Sequence, residues 1–288
     1  MYLKEALESC RQRGAAILAT NFYNAETLLA VLRAAREMRS VLILQTSPAT
    51  LSYLGLETAV AMARAASREM GVTAWLHLDH ARDPDLVRRC IETGYDSVMI
   101  DASEKDFDTN VRLTREVVAL ARPRGALVEA ELGYVPKVGE REAQELDMTA
   151  PEQAKRFVQE TGVDLLAVAI GNAHGFYKRQ PQLDIGRLKA IRESVDAFLV
   201  LHGASGIPDD QWREAVRNGI VKVNFATEIK DAFMAYLREA IVRSDSIDIR
   251  QVFPPAMQAV TALVKGKLHL CGWQDSGITP ANQSKNGL

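Results

Sequence analysis

The chain has 288 residues, 47% hydrophobic and 25% charged, with a formal net charge of -2. These are the values of a globular protein long enough to bury a large core without staples. They exclude a strongly basic nucleic-acid binder and a polybasic membrane-surface protein. Three scattered cysteines, Cys10, Cys90 and Cys271, exclude a disulfide framework and a cysteine metal site, and fit a reducing compartment.

The first fourteen residues, MYLKEALESCRQRG, are amphipathic and lack the apolar stretch of a leader, so they read as a helix. Short apolar segments follow at 15–22, 41–47, 73–80, 97–103, 126–132, 165–171, 198–205 and 221–227. Each is nearly continuous in its apolar character, as a strand buried on both faces should be. Helical patterns fill the intervals. Asp83-Pro84 opens one and Gly94 closes it; Thr149-Ala150-Pro151-Glu152 has capping-box spacing before a helix ending at Gly162; Pro208-Asp209-Asp210 opens another, ending at Gly219. Eight strand–helix units predict an α/β protein of the (β/α)8 barrel type, one domain over 1–272, followed by a polar tail at 273–288. The alternative, an open doubly wound sheet, is weakened because no GxGxxG follows the first strand. The charged stretch 133–148 is long for a connection, which points to function or mobility. No apolar run approaches the roughly 20 residues that cross a bilayer. A cytoplasmic protein is expected, with no nucleic acid and no membrane among its partners.

The polar residues gather at the strand ends. These read His77-Leu78-Asp79-His80, Asp101-Ala102-Ser103, Glu129-Ala130-Glu131, Gly171-Asn172-Ala173-His174-Gly175, His202-Gly203-Ala204-Ser205-Gly206 and Asn224-Phe225-Ala226-Thr227-Glu228. In this barrel the active site lies at the C-terminal mouth. One histidine at a strand end is more often a hydrogen-bonded structural residue than a ligand, and His77 is read that way. Three more converging on one mouth suit a metal, since three protein ligands with an open position is the catalytic zinc pattern, and imidazole suits several divalent ions. Period-two geometry places Asp79 on the same strand face as His77, where a buried carboxylate must pair, bind metal or exchange protons. Asp101, Glu129 and Glu131 add carboxylates that bind a second metal or pair with Lys222 or an arginine. The glycine-rich ends after strands seven and eight lie where this fold often binds phosphate, although tight turns alone also use such residues.

The runs HLDHA at 77–81, SVMIDAS at 97–103, VEAELG at 128–133, TGVDLLAVAIGNAHGFY at 161–177, LVLHGASGIP at 199–208 and KVNFATE at 222–228 resemble the class II, zinc-dependent ketose-bisphosphate aldolases. The resemblance extends over nearly the whole chain, from about residue 20 to 272, and is closer to the tagatose-bisphosphate type than to the longer fructose-bisphosphate enzymes. It implies His80, His174 and His202 as zinc ligands and Asp79 as the acid/base on the hydroxyl that becomes the aldehyde. Asp101 and Glu131 would stand near an alternative metal position. Gly175, Gly203, Ala204, Ser205, Asn224, Phe225, Ala226 and Thr227 would hold dihydroxyacetone phosphate, with a monovalent cation as a further cofactor. Asn21 and Ser47 match substrate-contacting positions. The sequence departs from the family at Asn21-Phe22-Tyr23-Asn24, where many relatives read closer to NVNN, and at Tyr134-Val135-Pro136-Lys137, where relatives often carry paired glycines before a glutamate. That loop usually supplies a second base, for which Glu140 or Glu142 is the candidate.

The implied activity is metal-dependent, reversible aldol cleavage of a fructose- or tagatose-type ketose 1,6-bisphosphate to dihydroxyacetone phosphate and an aldehyde such as glyceraldehyde 3-phosphate, in carbohydrate metabolism, by a homo-oligomer of two or four chains. Alternatives are a class II aldolase for another sugar phosphate or for a non-phosphorylated aldehyde, a zinc-dependent hydrolase, and a non-catalytic companion subunit. The absence of His-x-His on the first strand speaks against the hydrolase. Retention of Asp79 with all three histidines speaks against the companion. A Schiff-base aldolase would need a lysine toward the mouth, and Lys222 sits too early in its strand.

Overall fold

The computed structural model describes residues 1–136, 148–177 and 180–273. Eight parallel strands close into a barrel in chain order: β1 (Ile17–Asn21), β2 (Leu42–Thr46), β3 (Ala74–Ala81), β4 (Ser97–Ile100), β5 (Leu127–Leu132), β6 (Leu165–Val168), β7 (Phe198–Leu201) and β8 (Ile220–Phe225). The α-helices are α1 (Leu3–Arg13), α2 (Ala25–Glu37), α3 (Pro48–Leu54), α4 (Leu56–Met70), α5 (Pro84–Glu92), α6 (Phe107–Ala121), α7 (Pro151–Thr161), α8 (Ile185–Ser194), α9 (Asp209–Arg217), α10 (Thr227–Arg243), α11 (Ile249–Val252) and α12 (Pro254–Cys271). This is the (β/α)8 barrel that the apolar periodicity predicts. Three strands stop well short of their expected ends. β4 halts before Asp101, β6 at Val168 and β7 before His202, so those polar ends are loops at the mouth.

Alternation along each strand divides the core in two. Ile17, Ala19, Ile43, Trp75, Leu127, Leu165, Ala167, Phe198, Val200 and Val221 form one buried cluster together with Leu3, Leu7 and Cys10 of α1. Helix α1 therefore plugs the N-terminal end of the barrel, and the opposite mouth is left for chemistry. Leu18, Leu44, Leu76, Val98, Val128, Leu166 and Leu199 face the surrounding helices. Trp273, placed in the tail by composition, is 1% exposed and packs in the α1 cluster. An indole is too large an apolar group to leave in water when a core lies in reach.

The helix signals hold with one correction. Asp83 caps α5 by accepting from the Asp85 amide, with Pro84 in the first turn, and α7 ends at Gly162 in a left-handed conformation. Thr149, however, does not cap α7. Ala150 occupies the cap position without a side-chain bond, while the Thr149 hydroxyl donates to the Leu132 carbonyl and accepts from the Ala169 amide at 2.8 Å. That hydroxyl ties the end of β5 to the chain leaving β6, and Pro151, which needs no amide partner, starts the helix on its own.

One strand is irregular where it matters. The pairing of β3 with β4 shifts register between Leu78 and Ala81, and His80 has φ 52°. In a regular strand Asp79 and His80 would point to opposite faces. The bulge and the left-handed residue turn both toward the mouth, a use of bulges common beside active sites. A non-glycine residue held there stores on the order of 1–3 kcal/mol of strain.

Candidate functional site

His80 near the end of β3, His174 in the loop after β6 and His202 directly after β7 meet at the mouth. Their ring centroids lie 4.8 Å (His80–His174), 4.7 Å (His80–His202) and 5.7 Å (His174–His202) apart, edge to face. With Glu131 they offer four ligand atoms, all within 4.8 Å of one another.

The hydrogen bonds behind the rings decide where the lone pairs point. His80 Nδ1 lies 2.8 Å from Asp101 Oδ2, and His202 Nε2 lies 2.8 Å from Glu129 Oε1. An ionised carboxylate only accepts, so each pairing calls for an N–H on that nitrogen and leaves His80 Nε2 and His202 Nδ1 facing each other at 2.9 Å. Two nitrogen lone pairs that close repel unless a proton or a metal ion stands between them. Glu131 Oε2 is buried, without a hydrogen-bond partner, and 3.6 Å from His202 Nδ1. Three imidazoles and one carboxylate make a donor set that fits zinc or a similar divalent ion.

Titration points the same way. Burial drives His174 down to about 3 and holds His202 well below its ordinary value, with the charge of His80 adding to both. For His80 burial acts downward too, but Asp79, Asp101 and Glu131 outweigh it and raise the ring to about 9. Glu131 is pushed up to about 8, by burial first and by Asp101 second. Burial alone would raise Asp101, yet the hydrogen bonds from His80 and Ser103 hold it below the usual carboxylate range. The metal-free cluster thus collects protons in place of a cation.

Asp79 stands beside this cluster, 8% exposed. Three side-chain amides converge on it: Asn21 Nδ2 at 3.3 Å, Gln45 Nε2 at 3.2 Å and Asn224 Nδ2 at 3.2 Å. The amide oxygens of Asn21, Gln45 and Asn224 are all buried without partners. A carboxylate ringed by three unsatisfied acceptors has the groups to receive hydroxyls. Gln45 was not anticipated from the sequence. Its signal was the one that identified Asp79, a polar residue in an apolar strand, and it lies in register with His77 on the inward face.

The loops after β6 and β7 are stitched together. Gly203 has φ 63°, and a Cβ there would stand 2.2 Å from the Ala173 carbonyl oxygen. Asn172 Nδ2 donates to the His202 carbonyl at 3.1 Å. The Tyr177 hydroxyl accepts from the Ala173 amide at 2.7 Å and donates to the Gly203 carbonyl at 2.9 Å. Ser205 Oγ accepts from the Glu228 amide at 3.5 Å, which brings 203–206 against the first turn of α10. The Ala204 amide donates to the Asn224 carbonyl at 3.3 Å, and the Phe225 ring packs on Trp212. Tyr23 reaches across to Ala226 with its hydroxyl 3.5 Å from that carbonyl.

The other sequence candidates take different places. Asp101 stands behind His80 as its hydrogen-bond partner and is not in the four-ligand cluster. Ser47 caps α3, accepting from the Thr50 amide at 3.3 Å. His77 is fully buried with Nδ1 2.7 Å from Ser97 Oγ, the structural role expected of it. Glu129 pairs with Lys222 at 2.7 Å, so Lys222 is engaged below the mouth. Glu140 and Glu142 lie outside the described residues. A cavity of about 970 Å³ opens at the other end of the barrel, beside Tyr2, Trp75, Asp96 and Arg124, away from these groups. No helix among the described residues is long and apolar enough to cross a membrane.

The sequence profile of the family described as Fructose-bisphosphate aldolase class-II matches residues 1–276. The YdjI aldolase from Escherichia coli K12 superposes with a TM-score of 0.84 at 33% identity, covering 97% of this chain and 99% of that one. A putative fructose-1,6-biphosphate aldolase from Coccidioides immitis gives 0.85 at 34% identity, covering 95% and 96%. Fructose-bisphosphate aldolase from Campylobacter jejuni gives 0.81 at 21% identity over 94% of each chain, a likeness of fold.

Proposed function

The chain belongs to the class II fructose-bisphosphate aldolase family and is a carbon–carbon lyase, and from that premise we propose that it cleaves a ketose 1,6-bisphosphate reversibly to dihydroxyacetone phosphate and an aldehyde such as glyceraldehyde 3-phosphate. His80, His174 and His202 would hold the divalent ion, zinc in the first instance, with Glu131 as a fourth donor within reach. A metal there supplies Lewis-acid polarisation of the ketone carbonyl.

The protein's own groups supply the rest. Asp79 takes the proton of the C4 hydroxyl during cleavage and returns it during condensation. Asn21, Gln45 and Asn224 hold that carboxylate in place with their N–H groups, and their free oxygens accept from substrate hydroxyls. The backbone of Gly175, of 203–205 and of 224–227 would receive the phosphate, since amides and the helix dipole at the start of α10 favour an anion. Glu140 is the proposed second base, acting at the C3 carbon.

The observation that carries this reading is the pair of imidazole nitrogens facing each other beside a carboxylate ringed by amides. The test is retro-aldol cleavage of fructose- and tagatose-type bisphosphates by zinc-loaded protein, read as dihydroxyacetone phosphate. Release should vanish with chelator and with Asp79→Ala, while Asp79→Ala still binds zinc. No release from any ketose bisphosphate by the metal-loaded protein would overturn the proposal.

A further inference from the structure

Lys222 is the only buried lysine or arginine among the described residues, and it is fully buried on β8. Its Nζ donates to Glu129 Oε2 at 2.7 Å and lies 3.4 Å from His77 Nε2. The other oxygen of Glu129 is the one at 2.8 Å from His202 Nε2. A second group competes for that nitrogen, since Asn224 Nδ2 lies 3.1 Å from it. Asn224 is a donor there and needs a lone pair; Glu129 is an acceptor and needs an N–H. The two demand opposite tautomers of His202.

We propose that Lys222 is a positioning residue for the metal centre: by anchoring Glu129 it places the His202 proton on Nε2 and keeps Nδ1 open toward His80 and the ion. The proposal rests on the metal reading above and extends it beyond the ligands. Without the anchored carboxylate, Asn224 is the remaining partner of Nε2. The ring proton then moves to Nδ1 and points into the ligand cluster. A stability role is a poor explanation for the pair, because a buried ion pair is often no better than apolar residues of the same volume. Groups that orient a ligating histidine typically change metal affinity by about 10–100-fold when removed.

The experiment uses the full chain and zinc itself. Zinc dissociation constants of the metal-free wild type, Lys222→Met and the double variant Lys222→Met/Glu129→Leu are measured by chelator competition, with thermal unfolding in chelator as the check on folding. Both variants are expected to bind zinc about 10–100-fold more weakly than wild type. The double variant removes the buried pair whole, so a purely structural pair predicts a folded protein with wild-type zinc affinity, and that result overturns the proposal. Imidazole nitrogen NMR of the metal-free wild type tests the same point without any substitution. His202 protonated on Nε2 supports it, and His202 protonated on Nδ1 refutes it. A wild type that binds no zinc would instead sink the metal reading.

Discussion

Gly203→Ala isolates the contact between the two mouth loops. Gly203 has φ 63°, and its added Cβ would meet the Ala173 carbonyl oxygen at 2.2 Å and the carbonyl carbon at 2.6 Å. Ordinary contact begins near 3.4 Å, so the loops must separate by roughly 1 Å. That stretches the Asn172–His202 and Tyr177–Gly203 hydrogen bonds, now 3.1 and 2.9 Å, beyond useful length. Each is worth about 1 kcal/mol, and the left-handed backbone costs about 1 kcal/mol more for alanine. Gly125→Ala is the control, because Gly125 has φ 68° and nothing within 4 Å of its Cβ position. The expected losses are about 3 kcal/mol against about 1, or roughly 6 °C against 2 °C in Tm for a chain of this length. Thermal unfolding in chelator reads the difference. Zinc titration and dihydroxyacetone phosphate release read its effect on His174 and His202, which flank the contact. If Gly203→Ala unfolds with Gly125→Ala and keeps zinc and turnover, the loop contact does not hold the site together.

Tyr177→Phe removes the hydroxyl that joins Ala173 to Gly203 and strands both backbone groups, so it should destabilise by about 1–3 kcal/mol and raise KM for a phosphorylated substrate, checked by denaturation and steady-state kinetics. Zinc at a thousandfold excess over its Kd should stabilise the folded chain by about 4 kcal/mol, and a Tm unchanged between zinc and chelator would refute the site. The metal-free protein should lose stability with rising pH. His80 is raised from 6.5 to about 9 and Glu131 from 4.5 to about 8, so each contribution is complete below the unfolded value and lost as pH climbs through the folded one. His174, lowered from 6.5 to about 3, contributes above 6.5 and loses that contribution as pH falls toward 3. Urea midpoints measured from pH 5 to 9 should therefore fall on the alkaline side without zinc and fall less with it. Equal alkaline slopes in the two series would refute the idea that protons stand in for the cation.

The barrel and the three histidines were legible because they rest on local signals: a strand buried on both faces must read apolar, and a polar residue at its end has few reasons to be there. Relations across strands were less legible. Glu129 was paired with Lys222 as one option, but nothing in the spacing of 129 and 202 shows that the same carboxylate holds His202. Gln45 carries the same signal as Asp79, a polar residue in an apolar strand, but one amide there does not by itself imply the proton or metal chemistry that histidine or aspartate does. Its role appears only when β1, β2 and β8 bring three amides around one carboxylate.

The adjacent pair Asp79-His80 shows what periodicity alone cannot deliver. Strand alternation allows only one of two neighbours to face the barrel interior. Here both reach the mouth, because β3 breaks register after Leu78 and His80 takes a left-handed conformation. The strain is local, while the compensation comes from elsewhere in the chain: Asp101, directly after β4, fixes the ring of His80, and amides from β1, β2 and β8 fix Asp79. In the proposed mechanism a proton-transfer group next to a metal ligand would put acid/base and Lewis-acid chemistry on the same substrate carbon chain. The bulge would then be the step that turns two consecutive residues into one catalytic unit.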